Sequence, residues 1–156
     1  MTATRRVSSD APWEQAVGYS RAVAAGDFIF VTGSTSVRHG EVVHEGDARE
    51  QTIQAIANIG AALERLGAGL PDVVRTRMFV TDISRWPEIG DAHRAAFGDV
   101  LPATSMIQVA ALIDPRLLVE VEAVAYKPGI GAAGAAAPAA DAPGERPAAA
   151  PGLGWP

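Results

Sequence analysis

The chain has 156 residues, 18 acidic against 13 basic, a formal net charge of −5 and no cysteine. That length fits one domain, the acidic balance disfavours nucleic-acid phosphates as partners, and the lack of thiols excludes disulfides, cysteine-held metal sites and thiol catalysis. No apolar run approaches the roughly 18 residues of a membrane span, and no apolar stretch follows Arg5 and Arg6 as a secretory leader would require, so a soluble cytoplasmic protein is expected.

Residues 1–12 read as a flexible N-terminus. Ser20 to Ala24, the turn at Ala25-Gly26-Asp27 and Phe28 to Thr32 read as strand, turn, strand. In the second strand Ile29 and Val31 face one way and Phe28, Phe30 and Thr32 the other. Gly33 at its end allows a bulge or a close backbone approach, and His39-Gly40 signals a further turn before Val42 and Val43. Asp47 to Glu50 resembles a capping box. Ile53, Ile56, Gly60, Leu63 and Leu66 then recur at helical steps until Gly67 stops them.

Val73 to Thr81 alternates as a strand, with Thr76, Met78 and Val80 on one face and Arg75, Arg77 and Phe79 on the other. Ser84 is a candidate cap for a second helix, with Pro87 in its first turn, Ile89, His93 and Phe97 on its inner stripe and Gly98 after it. Ser105 to Leu112 and Leu117 to Tyr126 are the last two strands. The final strand carries Val119, Val121 and Ala123 on one side and Glu120, Glu122 and Val124 on the other. The simplest packing is α+β: one mixed sheet with two helices on one face. The other face keeps enough apolar area to call for a second subunit. Residues 127–156 are mainly Ala, Pro and Gly without a period and read as a disordered tail. The folded domain is therefore set at 13–126.

Gly18-Tyr19-Ser20, Val31-Thr32-Gly33, Gln51-Thr52, Val73-Val74-Arg75-Thr76, Phe79-Val80-Thr81-Asp82, Leu101-Pro102-Ala103 and Val119-Glu120-Val121-Glu122-Ala123 follow one another over residues 12–126. As an ordered set they resemble the Rid/YjgF family of reactive-intermediate deaminases. The resemblance implies a chorismate-mutase-like subunit, a homotrimer and clefts between subunits. It also implies hydrolysis of imines or enamines to ketones and ammonia, with bound water and no cofactor. In that family an Arg after the Pro-Ala of the fifth strand grips a substrate carboxylate, as a guanidinium fork suits, and a Glu of the last strand orients water.

Carried over residue by residue, the resemblance makes Glu120 and Tyr19 the catalytic candidates, with Thr32 and Gly33 lining the cleft. The Arg position is Thr104, Gly90 stands where an Asn is common, and His93 stands where a Tyr is frequent. Loss of a buried guanidinium–carboxylate pair removes on the order of 2–5 kcal/mol of binding, which counts against ordinary 2-imino-acid deamination. Arg77 and Arg116 are candidates to replace the charge; cross-strand pairing of Arg75 and Arg77 with Glu120 and Glu122 is the structural alternative. His93 is read either as a proton shuttle or as a packed histidine. His39, His44 and His93 lie on separate elements, so no metal site is expected. The expected partners are a small metabolite and further copies of the chain. A non-catalytic ligand-binding or regulatory trimer is the alternative. An endoribonuclease is disfavoured by the acidic charge and by the lack of a His/Lys/Arg cluster.

Overall fold

A computed structural model describes residues 4–9 and 11–132. In chain order the elements are β1 (Arg5–Val7), α1 (Pro12–Val17), β2 (Ala22–Ala25), β3 (Phe28–Thr35), β4 (Val37–Arg38), β5 (Glu41–Val42), α2 (Ala48–Glu64), β6 (Val73–Val80), α3 (Trp86–Phe97), β7 (Ala103–Gln108) and β8 (Val119–Tyr126). Six strands form one sheet in the order β1-β2-β3-β8-β6-β7, and β4 with β5 makes a separate hairpin. Only β6 and β7 pair in parallel. Parallel neighbours cannot be joined by a tight turn, and α3 is the crossover between them. The hairpin turns at His39 and Gly40, whose φ values of 52° and 80° are those of a two-residue primed turn.

Alternation along the strands sorts the side chains. Ile29, Val31, Met78, Val80, Val119 and Val121 are buried on one face, where Ile56, Ile59 and Leu63 of α2 and Ile89 and Phe97 of α3 cover them. Each such side chain contributes roughly 1.5–3 kcal/mol by leaving water. The opposite face keeps Phe28, Phe30 and Tyr126 at 44, 50 and 42% exposure. They cluster, with ring centroids 5.0 Å apart for Phe28–Tyr126 and 6.4 Å for Phe28–Phe30.

Helix α2 begins where the Asp47 side chain accepts from the Glu50 amide at 2.9 Å. It stops at Gly67, whose φ of 87° suits glycine. Its buried stripe differs from the expected one: Ile53 is 37% exposed and Ile59 is fully buried, because the helix packs on β3, β8 and α3 together and so turns a wider face inward. Asp82, not Ser84, makes the cap before α3, accepting from the Ser84 amide at the start of a short 3-10 turn, Ile83–Arg85.

Both domain edges need correction. The N-terminus is not flexible throughout 1–12: Arg5–Val7 pairs with β2, and the Arg5 guanidinium donates to the carbonyls of Leu66 and Ile130 at 3.1 and 3.2 Å. The free edge of β2 needed ladder partners, and β1 supplies them. At the other end the described chain runs past Tyr126, with the Lys127 amide bonded to the Asp27 carbonyl at 2.8 Å and Ile130 buried. The remainder of the expected tail, 133–156, lies outside the described residues. The short helix α1 was also absent from the pattern read in sequence.

Candidate active site

The pairing of β3 with β8 is interrupted between Val31 and Ser34, where β3 carries one more residue than β8. Such a bulge re-aims the chain. Here it sets Gly33 under the Glu120 side chain, so that a Cβ at Gly33 would lie 1.9 Å from Glu120 Oε1 and 2.6 Å from its Cδ. The Glu120 carboxyl occupies the space that any other residue at 33 would fill. Burial pushes its pKa up, the Glu122 carboxylate adds to that, and the Arg21 guanidinium opposes it. A carboxyl whose hold on a proton is raised by burial is better matched to acid–base work than a solvated one.

Helix α1 supplies the other fixed charges. Glu14 is 5% exposed and accepts from the Ser9 amide at 2.8 Å, the Ser9 hydroxyl at 2.5 Å and Arg21 Nε at 3.1 Å. Arg21 Nη1 donates to the Gly33 carbonyl at 2.6 Å, and the Tyr19 ring lies 5.8 Å from the guanidinium carbon. Tyr19, Arg21, Thr32, Gly33, Arg116 and Glu120 all border one groove of about 870 Å³.

Of the residues singled out in sequence, Tyr19, Thr32, Gly33, Arg116 and Glu120 therefore come together. Arg116 spends its fork on Asp114 at 3.0 and 2.8 Å, which holds the Asp114 carboxyl down at about 2. Arg77 stands opposite Glu122 on the exposed sheet face and pairs with it. This is the cross-strand arrangement rather than a cation aimed at Glu120. Arg77 borders a second depression of about 470 Å³ with Tyr19 and Thr32.

Thr104 and His93 do not join Glu120 within one chain. Thr104 is in register with Thr76, and Thr76 with Ala123. Thr104 is therefore two strands and three residues from Glu120, about 14 Å between Cα atoms at ordinary strand spacing, and on the helix-covered face. There Thr76 Oγ1 lies 2.9 Å from His93 Nε2 and 2.8 Å from Thr104 Oγ1, and Thr104 donates to the Pro102 carbonyl at 3.0 Å. Because Thr104 gives its single proton to Pro102, it accepts from Thr76, and Thr76 accepts from the His93 Nε2 proton. Burial pushes the His93 pKa down and keeps the ring neutral at pH 7. Its contribution to stability accordingly falls as pH drops below the ordinary histidine value. Thr76→Val should cost about 1–2 kcal/mol by orphaning one end of the chain, read from urea unfolding at pH 7.

Arg21 and Glu14 were not picked out in sequence. Their signals are slight: a lone carboxylate between Trp13 and Val17, and an arginine two residues after Tyr19.

Residues 9–127 match the family described as Endoribonuclease L-PSP. The chain belongs to that family. Among curated members, a 2-iminobutanoate/2-iminopropanoate deaminase of Dermatophagoides farinae is 32% identical over 123 residues, 77% of this chain and 94% of that one. An uncharacterized protein of Streptomyces coelicolor is 40% identical over 125 residues, 80% and 93% of the two chains. The Mycobacterium tuberculosis protein Rv2704, of the YjgF/YER057c/UK114 family, has a crystal structure that superposes with a TM-score of 0.73 at 50% identity, over 80% of this chain and 99% of that one. The family thus includes imine deaminases, and its solved members share the mixed sheet and helices described above. No helix among the described residues is long and apolar enough to cross a membrane. No cluster of three metal-ligating side chains occurs among them.

Proposed function

We propose that the chain is a Rid-type hydrolase that converts a small imine or enamine to the corresponding carbonyl compound and ammonia, in a cleft completed by a neighbouring copy within a homotrimer. The observation that carries this is Glu120, a partly desolvated carboxyl lying over a glycine that alone makes room for it. Water adds to the imine carbon while Glu120 accepts its proton. The same proton passes to nitrogen to give a carbinolamine; Glu120 then takes the hydroxyl proton and delivers it to nitrogen as the carbon–nitrogen bond breaks, so the carbonyl forms and ammonia leaves. The Tyr19 and Thr32 hydroxyls hold the reacting groups.

Two observations support a shared cleft. Phe28, Phe30 and Tyr126 form an exposed apolar patch on the open sheet face, of the kind a subunit contact covers. Thr104 and His93, which the family resemblance places at the site, stand away from Glu120 in one chain, so a site that joins them needs a second copy. Thr104 in place of an arginine favours one alternative, a trimer that binds a small ligand without turning it over. Ammonia release from imines generated by an amino-acid oxidase decides between them. Glu120→Gln should lower the rate about 10²–10⁴-fold, the range of a lost general acid–base group, with the fold and trimer unchanged. Equal rates in the variant and the wild type would remove Glu120 from the chemistry, and no release by either over a panel that includes substrates without a carboxylate would leave the binder.

A further inference from the structure

The groove beside Glu120 is lined by Arg21, Arg38, Arg65 and Arg116 against Asp114 and Glu120, although the chain as a whole carries a net charge of −5. Basic side chains are concentrated where the protein is concave. Three of the four are poorly suited to hold a ligand in one pose. Arg116 is committed to Asp114 through both arms of its fork, Arg65 reaches the Ser8 carbonyl, and Arg38 is exposed on its hairpin. Arg21 is different. Its side chain is 13% exposed, Nε is held by Glu14, whose side chain is 4% exposed, and Nη1 is held by the Gly33 carbonyl. Nη2 has no protein acceptor among the described residues. A guanidinium fixed at two nitrogens and open at the third loses little freedom when it binds. A planar fork also suits a carboxylate.

We infer that Arg21 is the anion anchor of this groove and takes the carboxylate of a small oxo- or imino-acid through Nη2, with Glu14 as the positioning residue that aims it. The cation then comes from the same chain as Glu120, from the residue just before β2, rather than from the strand that carries Thr104. Arg38 at the rim raises the local concentration of anions without fixing them. This rests on the groove being the ligand site of the proposed hydrolase, and it narrows the substrate to anionic members of the class.

The test uses pyruvate as the carboxylate probe and pyruvamide as its neutral counterpart, with binding to the full chain followed by ligand-observed NMR. Arg21→Met should weaken pyruvate about 10–100-fold, the range of one charge-assisted hydrogen bond, and leave pyruvamide unchanged. Arg21→Lys, which keeps the charge and loses the fork, should fall between. Because Arg21→Met strands the Glu14 carboxylate, the double variant Glu14→Gln, Arg21→Met carries the same comparison if the single variant does not fold. Glu14→Gln alone should weaken pyruvate by less than Arg21→Met does.

No pyruvate binding to the wild type, unchanged pyruvate affinity in the arginine variants, or equal losses for pyruvate and pyruvamide would each overturn the assignment. Arg21-dependent pyruvate binding without any ammonia release would uphold the anchor and remove the hydrolase. Hydrolysis indifferent to Arg21 would do the reverse.

Discussion

Gly33→Ala is expected to give a folded protein that has lost most of its activity. The residue lies in the β3 bulge with an ordinary, negative backbone φ, so alanine meets no left-handed strain there. Its Cβ would meet Glu120 Oε1 at 1.9 Å, Cδ at 2.6 Å and Cγ at 3.0 Å. All three atoms belong to the outer part of a side chain that can swing aside. The cost in stability is therefore small, within about 1 kcal/mol, as for an accommodated surface change. The cost in function is not small. A carboxyl displaced by about 1 Å or more no longer meets the water it must orient, which is worth on the order of 10²-fold in rate.

Ammonia release and thermal unfolding, measured on the same preparation, separate the two effects. Loss of rate with an unchanged melting temperature is the expected pair. A fully active Gly33→Ala would mean that the Glu120 carboxyl is not held where the reaction needs it. Serine at 33 should behave as alanine does, since the clash arises at Cβ and not at the group beyond it.

The fold was legible because it depends on period. Alternation at Ile29 and Val31, at Thr76, Met78 and Val80, and at Val119 and Val121 placed the same residues on the buried face that the structure places there. The ends were less legible. Three residues at Arg5–Val7 carry too short a pattern to announce a strand, and they form one only because β2 offers an unpaired edge. Helix α1 has six residues and too few turns to show a stripe.

The site was legible in part and for a different reason. Glu120 and Gly33 were marked separately by resemblance and by glycine chemistry, yet their contact depends on one extra residue in β3, which no local pattern reports. Arg21 was invisible as a fixed cation because its partner, Glu14, sits on that unrecognised helix. Thr104 and Glu120 were grouped by family position, whereas the parallel register of β6 with β7 sets them on opposite faces of one subunit.

The largest loss of stability from one polar side chain is expected at Gln51. It is fully buried in the first turns of α2 and makes three bonds to backbone outside its own helix. Its amide nitrogen donates to the carbonyls of His44 at 3.2 Å and Arg116 at 2.8 Å, and its carbonyl oxygen accepts from the Leu118 amide at 2.7 Å. These bonds tie the helix to the segment that brings Arg116 to the groove and starts β8. Gln51→Leu preserves the volume and removes every partner. The Leu118 amide and the Arg116 carbonyl would then lack a mate, while the His44 carbonyl keeps the Asp47 amide at 3.1 Å, at a cost of about 3–5 kcal/mol if both stay unsatisfied.

Urea unfolding should show that loss, and hydrogen exchange at the Leu118 amide should rise, because its protection comes from this side chain and not from a ladder bond. Gln51→Glu is the sharper variant. An ionised carboxylate still accepts from Leu118 but faces the His44 and Arg116 carbonyls with no proton to give. Burial among acceptors raises its pKa in the folded state. The unfolded chain then binds fewer protons than the folded one over the interval between the two values, and stability rises as pH falls through it. Gln51→Glu should therefore be least stable at neutral pH and recover in acid, while Gln51→Leu should carry its deficit unchanged across the same range. If Gln51→Glu follows the pH profile of the wild type and Gln51→Leu matches the wild type in stability, the three bonds do not hold the groove wall to the helix.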